Sequence, residues 1–522
     1  MKALLEPIKE IARFDELFRD LKKGTAGVTV ISGCLESQKA HMIAGLSEDA
    51  PVRLLIAENE LKAKELYEDY RLYDAETLYY PAKDLIFYQA DIHGNLLIRQ
   101  RLQVIQALLE RKEVTIITSV GGCMDFLLPL GVFEKHCIHL RNDSELDLDK
   151  IRKELVRLGY ESTFQVESTG QFSVRGGILD IYPLTEQNPI RIELWGDEID
   201  SIRSFDAESQ RSIENLEEIT IYPASELILT ENTIARGVKA IKKEAKAQST
   251  KFRDKMMTEE AARIRHAAEE ICDQIGEGEI LQGAEQYLHY FYPETVSFLE
   301  YLPENSRIFL DEPNRIIECA DALEAEFQES VSHRLEKGYL LPGQAKLMCS
   351  TAELVAKLNR RGCVAVSLME PQKGEWNIRD EFSVTVKSVN SYNNQFPLLV
   401  KDLKSWKKAG YRIVLASPSR TRAQHLAEDL QNEEIPAFYS ENEERVLKPG
   451  EVMLIHGAAR RGFEYPMQKF VLITETDIFG KEKKKNRKKS EYSGQKIQNF
   501  ADLSIGDYVV HESHGLGIYR GI

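Results

Sequence analysis

Residues 170–226 read GQFSVRGGILDIYPLTEQNPIRIELWGDEIDSIRSFDAESQRSIENLEEITIYPASE. Side chains alternate between the two faces of a strand. One face therefore takes Phe172 and Val174, then Ile190, Ile192 and Leu194, while the other takes Arg175, Arg191, Glu193 and Trp195. Gly, Pro and Asn punctuate the run at short intervals, as hairpin turns require. From roughly Phe164 to Pro223 this predicts an antiparallel sheet with one solvated face. Arginine and tryptophan on a rigid face have the composition of a binding hot spot, whereas a strand facing water alone carries Thr, Lys and Glu. Two readings of the face stay open: it receives a partner, or Trp195 packs under a neighbouring loop and the arginines are solvated charges.

On either side the period changes. VTVISG at 28–33, the strand Val52–Ala57 and VTIITS at 114–119 are apolar runs separated by helical segments, the mark of a parallel sheet covered on both faces. Residues 231–275 are helical, and SRIFLD at 306–311 returns to strand character. A second series follows: VAVSL, FSVTVKSV, YRIVLAS, IPAFYS, EVMLIHG and KFVLITE as strands, with LLVKDLKSWKKAG and TRAQHLAEDLQNE as helices between some of them. The fold class is α/β and multi-domain: a degenerate P-loop or helicase-like parallel sheet with an inserted small antiparallel domain, a further α/β domain, and the start of a small β-barrel.

The chain has 522 residues, too many for one core, and about 100–200 residues per domain predicts several domains. Lys and Arg total 68 against 84 Asp and Glu, a formal charge of -16, which argues against phosphate-backbone affinity along the whole chain. Seven cysteines lie far apart without a CxxC pair, as reduced thiols in a cytoplasmic protein would. No run approaches the ~20 apolar residues of a membrane span, so no membrane partner is expected.

The first strand enters ISGCLESQKA, at the place of a Walker A loop. That loop needs a second glycine so that amides curl round phosphates, a lysine for the terminal phosphates, and a hydroxyl on Mg2+. Gly33 and Lys39 are kept, but Gln38 stands for the second glycine and Ala40 for the hydroxyl residue. Whether the loop has decayed or matches by chance, no ATP site is expected, and no cofactor, metal or catalytic residue. His41, His93, His136 and His139 sit singly and need no catalytic role. Tyr79, Tyr80, Phe87 and Tyr88 are either base-stacking aromatics or core and loop residues.

RGGILDIYP, PIRIELWGDEIDSIRSFD, QRS and IYPASE, in that order, resemble the second domain shared by UvrB and the bacterial transcription-repair coupling factors. The resemblance implies docking onto UvrA, the damage-scanning ATPase, through Arg175, Arg191 and Trp195. The short connection at Tyr80–Arg99, where UvrB has a long DNA-clamping hairpin, favours the coupling-factor family, as do GFEYP at 462–466, TETDIFG at 474–480 and the final DLSIGDYVVHESHGLGIYRGI. That last stretch resembles the opening strands of a barrel that grips RNA polymerase, at its beta subunit.

The expected units are then a UvrB-like α/β domain in two parts, 1–135 and 225–350, and an inserted UvrA-binding domain at 136–224. A third α/β domain at 351–480, a basic linker at 481–498 and a barrel cut short at 499–522 follow. The linker is an exposed spacer or a nucleic-acid-binding tail. The expected function is recruitment of UvrA to stalled polymerase without an enzymatic activity of this segment; a DNA-translocating motor, which makes most of the DNA contacts, would lie beyond Ile522. The rivals are a damage-binding ATPase resembling UvrB and a plain polymerase-binding regulator.

Overall fold

Val28–Ser32 is buried at every position, and a strand with no solvated face needs neighbours on both edges and cover above and below. In the computed structural model, which describes residues 2–83, 95–276, 284–371, 374–480, 508–511 and 515–518, it lies second in a seven-stranded, wholly parallel sheet. The order is Ile378–Ser383, Val28–Ser32, Cys363–Val366, Arg307–Asp311, Val52–Ala57, Val114–Ser119 and Leu78–Tyr80.

Two of these strands correct the expected boundary at 350/351. Cys363–Val366 lies between Val28–Ser32 and Arg307–Asp311, and Ile378–Ser383 forms the edge beyond Val28–Ser32. The helix Thr351–Arg361 is the crossover that returns the chain to this sheet. A short, fully apolar strand carries no mark of which parallel sheet it joins, and VAVSL and the start of FSVTVKSV belong to the first unit, not the third. The following sheet runs Lys387–Ser388, Phe463–Tyr465, Phe470–Thr474, Arg412–Ser417, Val452–His456 and Ala437–Tyr439. Its last four strands are parallel and its first two pairings antiparallel.

The inserted sheet has six strands, Ser212–Leu216, Glu198–Phe205, Ile190–Trp195, Ile178–Ile181, Gln171–Arg175 and Glu161–Ser162. Every pairing is antiparallel except the last. Its inner face buries Phe172, Leu179, Ile181, Ile190, Ile192, Ile199 and Ile202 in a core continuous with that of the first sheet.

Arg101 pins the two together. It is wholly buried, donating from Nε to Glu226 Oε1 at 2.5 Å and from Nη1 to Pro81 O at 2.7 Å and Asp125 Oδ2 at 3.2 Å, with its guanidinium 4.2 Å from the centroid of Tyr80. Tyr80 in turn stacks on Phe298, so Tyr79 and Tyr80 are core residues; Phe87, Tyr88 and His93 lie outside the described residues. So do 481–507, the linker included. Of the expected barrel, Tyr508–His511 and Gly515–Ile518 form an antiparallel pair.

Candidate functional site

The alternation read from the sequence holds on the inserted sheet. Trp195, opposite Glu198 at the tip of a hairpin, is 85% exposed, so no loop among the described residues covers it. Arg175 closes the neighbouring hairpin opposite Ile178, and Leu194 N donates to Gly177 O, which brings that turn beside Trp195. Gly177 is fixed by this approach, since a Cβ there would stand 3.0 Å from Leu194 O.

Register then builds the polar face. Asp180 pairs with Ser173 on one side and Arg191 on the other. Arg191 donates from Nε to Asp180 Oδ1 at 2.7 Å and from Nη2 to Oδ2 at 2.9 Å, and Arg175 Nη2 reaches the same Oδ2 at 2.8 Å. One carboxylate thus gathers two guanidiniums. Arg191 also donates to Gln210 Oε1 and lies 4.4 Å from the Phe205 centroid, and its hydrogen bonds to Asp180 raise its pKa further. Glu193 is taken by Arg203 and Ser201. The arginines are therefore held charges and not loosely solvated ones. Asp180 was not among the residues singled out in the sequence; its signal was an acid between Leu179 and Ile181 in register with Arg191.

At the phosphate-loop position, backbone amides and the lysine have partners within the protein. Gly33 N donates to Leu368 O at 3.1 Å, Cys34 N to Ser367 O at 3.0 Å, and Gln38 N and Lys39 N to Leu35 O at 2.8 and 3.1 Å, so these four loop amides have carbonyl partners. A Cβ on Gly33, at φ +81°, would lie 2.2 Å from Val384 O. Lys39, 1% exposed, contacts Glu36 Oε1 at 2.5 Å, Asp311 Oδ1 at 2.7 Å and Glu312 Oε1 at 2.8 Å. Burial opposes its charge, but Asp311 and Glu36 outweigh that and hold its pKa above the usual value; burial pushes Asp311 up to about 6. Among the described residues these three carboxylates are the group close enough to share a cation, and the Lys39 ammonium touches all of them.

Gln38, fully buried, donates from Nε2 to Tyr465 Oη at 2.5 Å. Tyr465 lies 3.2 Å from His41 Nδ1, and His41 Nε2 lies 2.7 Å from Leu4 O. A carbonyl only accepts, so Nε2 carries the proton, Nδ1 accepts from Tyr465, and the ring is neutral. The helix Glu36–Gly45 thereby ties the third unit to the first. Ala40 is buried in the first sheet's second core and ligates nothing.

A profile of the UvrB interaction domain matches residues 138–227, and one of the CarD-like/TRCF RID domain matches residues 503–522. Among characterised proteins, the transcription-repair-coupling factor of Bacillus subtilis (strain 168) is 32% identical over 526 residues, covering 97% of this chain. That of Staphylococcus aureus (strain USA300) is 30% identical over 536 residues, covering all of it. The chain spans 44% of the length of each.

Proposed function

The chain is homologous over its whole length to bacterial transcription-repair-coupling factors, and from that premise we propose that it serves transcription-coupled nucleotide-excision repair by recruiting UvrA to stalled RNA polymerase. The observation that carries this is the face just described. Within the stretch matching the UvrB interaction domain, Arg175 and Arg191 are held at one buried carboxylate while Trp195 stands uncovered at the hairpin tip. Large planar side chains on a pre-ordered sheet lose little entropy on docking, which is how a few residues dominate an interface.

The segment acts as an adaptor, without binding or hydrolysing ATP. Supporting this are the loop amides bonded to Leu368 and Ser367, the absent room at Gly33 and the neutralised Lys39. The match at residues 503–522 supports RNA polymerase as the second partner, and the subunit proposed for the contact, from the family resemblance alone, is beta. Translocation on DNA belongs to the motor of the longer coupling factors, and most contact with DNA goes with it.

Titrating the chain separately with UvrA, duplex DNA and MgATP tests the proposal. Saturable binding of UvrA with no measurable heat from MgATP is expected. Saturable MgATP binding lost on Lys39→Ala would overturn the adaptor reading in favour of a UvrB-like ATPase, and absence of a UvrA complex would overturn recruitment.

A further inference from the structure

Asp180 is anomalous on the docking face. It points to the solvated side of the sheet, in the row of Ser173 and Arg191, yet it is 1% exposed because two guanidiniums and the strand beside it roof it over. A buried carboxylate is tolerated only when its charge is matched and its oxygens are bonded. Arg191 takes it in the two-toothed geometry that fixes a guanidinium plane, and Arg175 adds a third bond at Oδ2. The Arg175 side chain, 38% exposed, also lies 5.7 Å from the centroid of Phe164, and that ring is itself 83% exposed. Phe164 is anchored by its backbone, since its carbonyl accepts from Ser173 Oγ at 2.8 Å.

Two cations share one anion here, and Glu193, the nearest acid in the adjoining row, is paired with Arg203. The cluster keeps a surplus positive charge, with the Arg175 guanidinium, 38% exposed, on its outer side and Arg191, 16% exposed, behind it. A bare aromatic ring adjoins it.

We propose that Asp180 is the positioning residue of this face: it holds Arg175 and Arg191 as a clamp with Phe164 as its apolar shelf, and the clamp receives a carboxylate of the partner. The inference rests on the UvrA reading and adds the acidic chemistry of the surface UvrA must present. Phe164 lies outside the set Arg175, Arg191 and Trp195, and Asp180 touches no partner itself; it acts through the arginines.

The test is a double-mutant comparison in the full chain, with UvrA affinity and thermal midpoint both measured. Asp180→Asn keeps the shape and removes the charge. It is expected to weaken the complex about tenfold in the parent background and to have no further effect once Arg175→Ala and Arg191→Ala are present. An equal loss in both backgrounds, as a general weakening of the fold would give, overturns the positioning role, as does unchanged affinity. Phe164→Ala, on an exposed ring, keeps the inference open to refutation even where Asp180→Asn misfolds. It should cost about threefold or more with an unshifted midpoint, and parent-like affinity overturns the shelf. If the arginine pair itself binds as the parent does, the docking assignment falls and this inference with it.

Discussion

Gln38 and Lys39, at the place of a phosphate loop, turn their side chains inward. A working loop lysine waits for phosphate, whereas Lys39 already has Glu36, Asp311 and Glu312. Removing its charge should therefore damage the fold and leave nucleotide response unchanged. Lys39→Met leaves a buried Asp311 uncompensated, and breaking such a group typically costs on the order of 3–5 kcal/mol. We expect a clear fall in thermal midpoint for Lys39→Met and a partial recovery in Lys39→Met/Asp311→Asn, because the two residues share one interaction. MgATP should shift the midpoint of none of these proteins; a shift in the parent that Lys39→Met abolishes would restore a nucleotide site. That two of the groups a phosphate loop requires are missing here was legible from Gln38 and Ala40. The sequence held no sign that Leu368, Ser367 and Val384 would fill the space, because those contacts join positions more than three hundred residues apart.

Among the elements, the helix Glu36–Gly45 does the joining. It contributes Gln38 and His41 to Tyr465 of the strand Phe463–Tyr465, and the N-terminal helix Lys2–Lys9 closes over it through Leu4. His41 is ringed by Tyr73, Phe463, Tyr465 and Phe470. Burial lowers its pKa from 6.5 to about 4, with the Leu4 carbonyl opposing. A histidine whose folded pKa is depressed contributes fully above its unfolded value, and that contribution fades as pH falls from about 6.5 towards 4. The advantage of the parent over His41→Asn should shrink across that window, by on the order of 3 kcal/mol from proton linkage. Hydrogen exchange at Leu4 and Tyr465 between pH 7.5 and 4.5 would show it, and a difference constant with pH would refute the assignment. Periodicity was enough to read the alternating strands of the insertion, since each carries its own inside and outside. It failed for Cys363–Val366 and Ile378–Ser383, because a strand buried on both faces, or a short edge strand, does not name its neighbours.

In the molecule as a whole, an inserted antiparallel sheet stands on a parallel α/β body, secured by Arg101 between Glu226 and Asp125 and by a shared apolar core. That mounting suits a face proposed to meet its partner already formed. The face was legible in the sequence as far as Arg175, Arg191 and Trp195, which alternation placed outdoors and a family resemblance singled out. What alternation missed was Asp180, the group that makes two separate arginines into one feature, since its role appears only when the strands are set in register. This face is proposed to carry the UvrA contact, and a calorimetric titration of UvrA into the parent and into Arg175→Ala, Arg191→Ala and Trp195→Ala tests that. Each truncation should weaken the complex roughly thirtyfold, about 2 kcal/mol, with circular dichroism and thermal midpoint showing the sheet still folded. Three variants that fold and bind UvrA as tightly as the parent would contradict it.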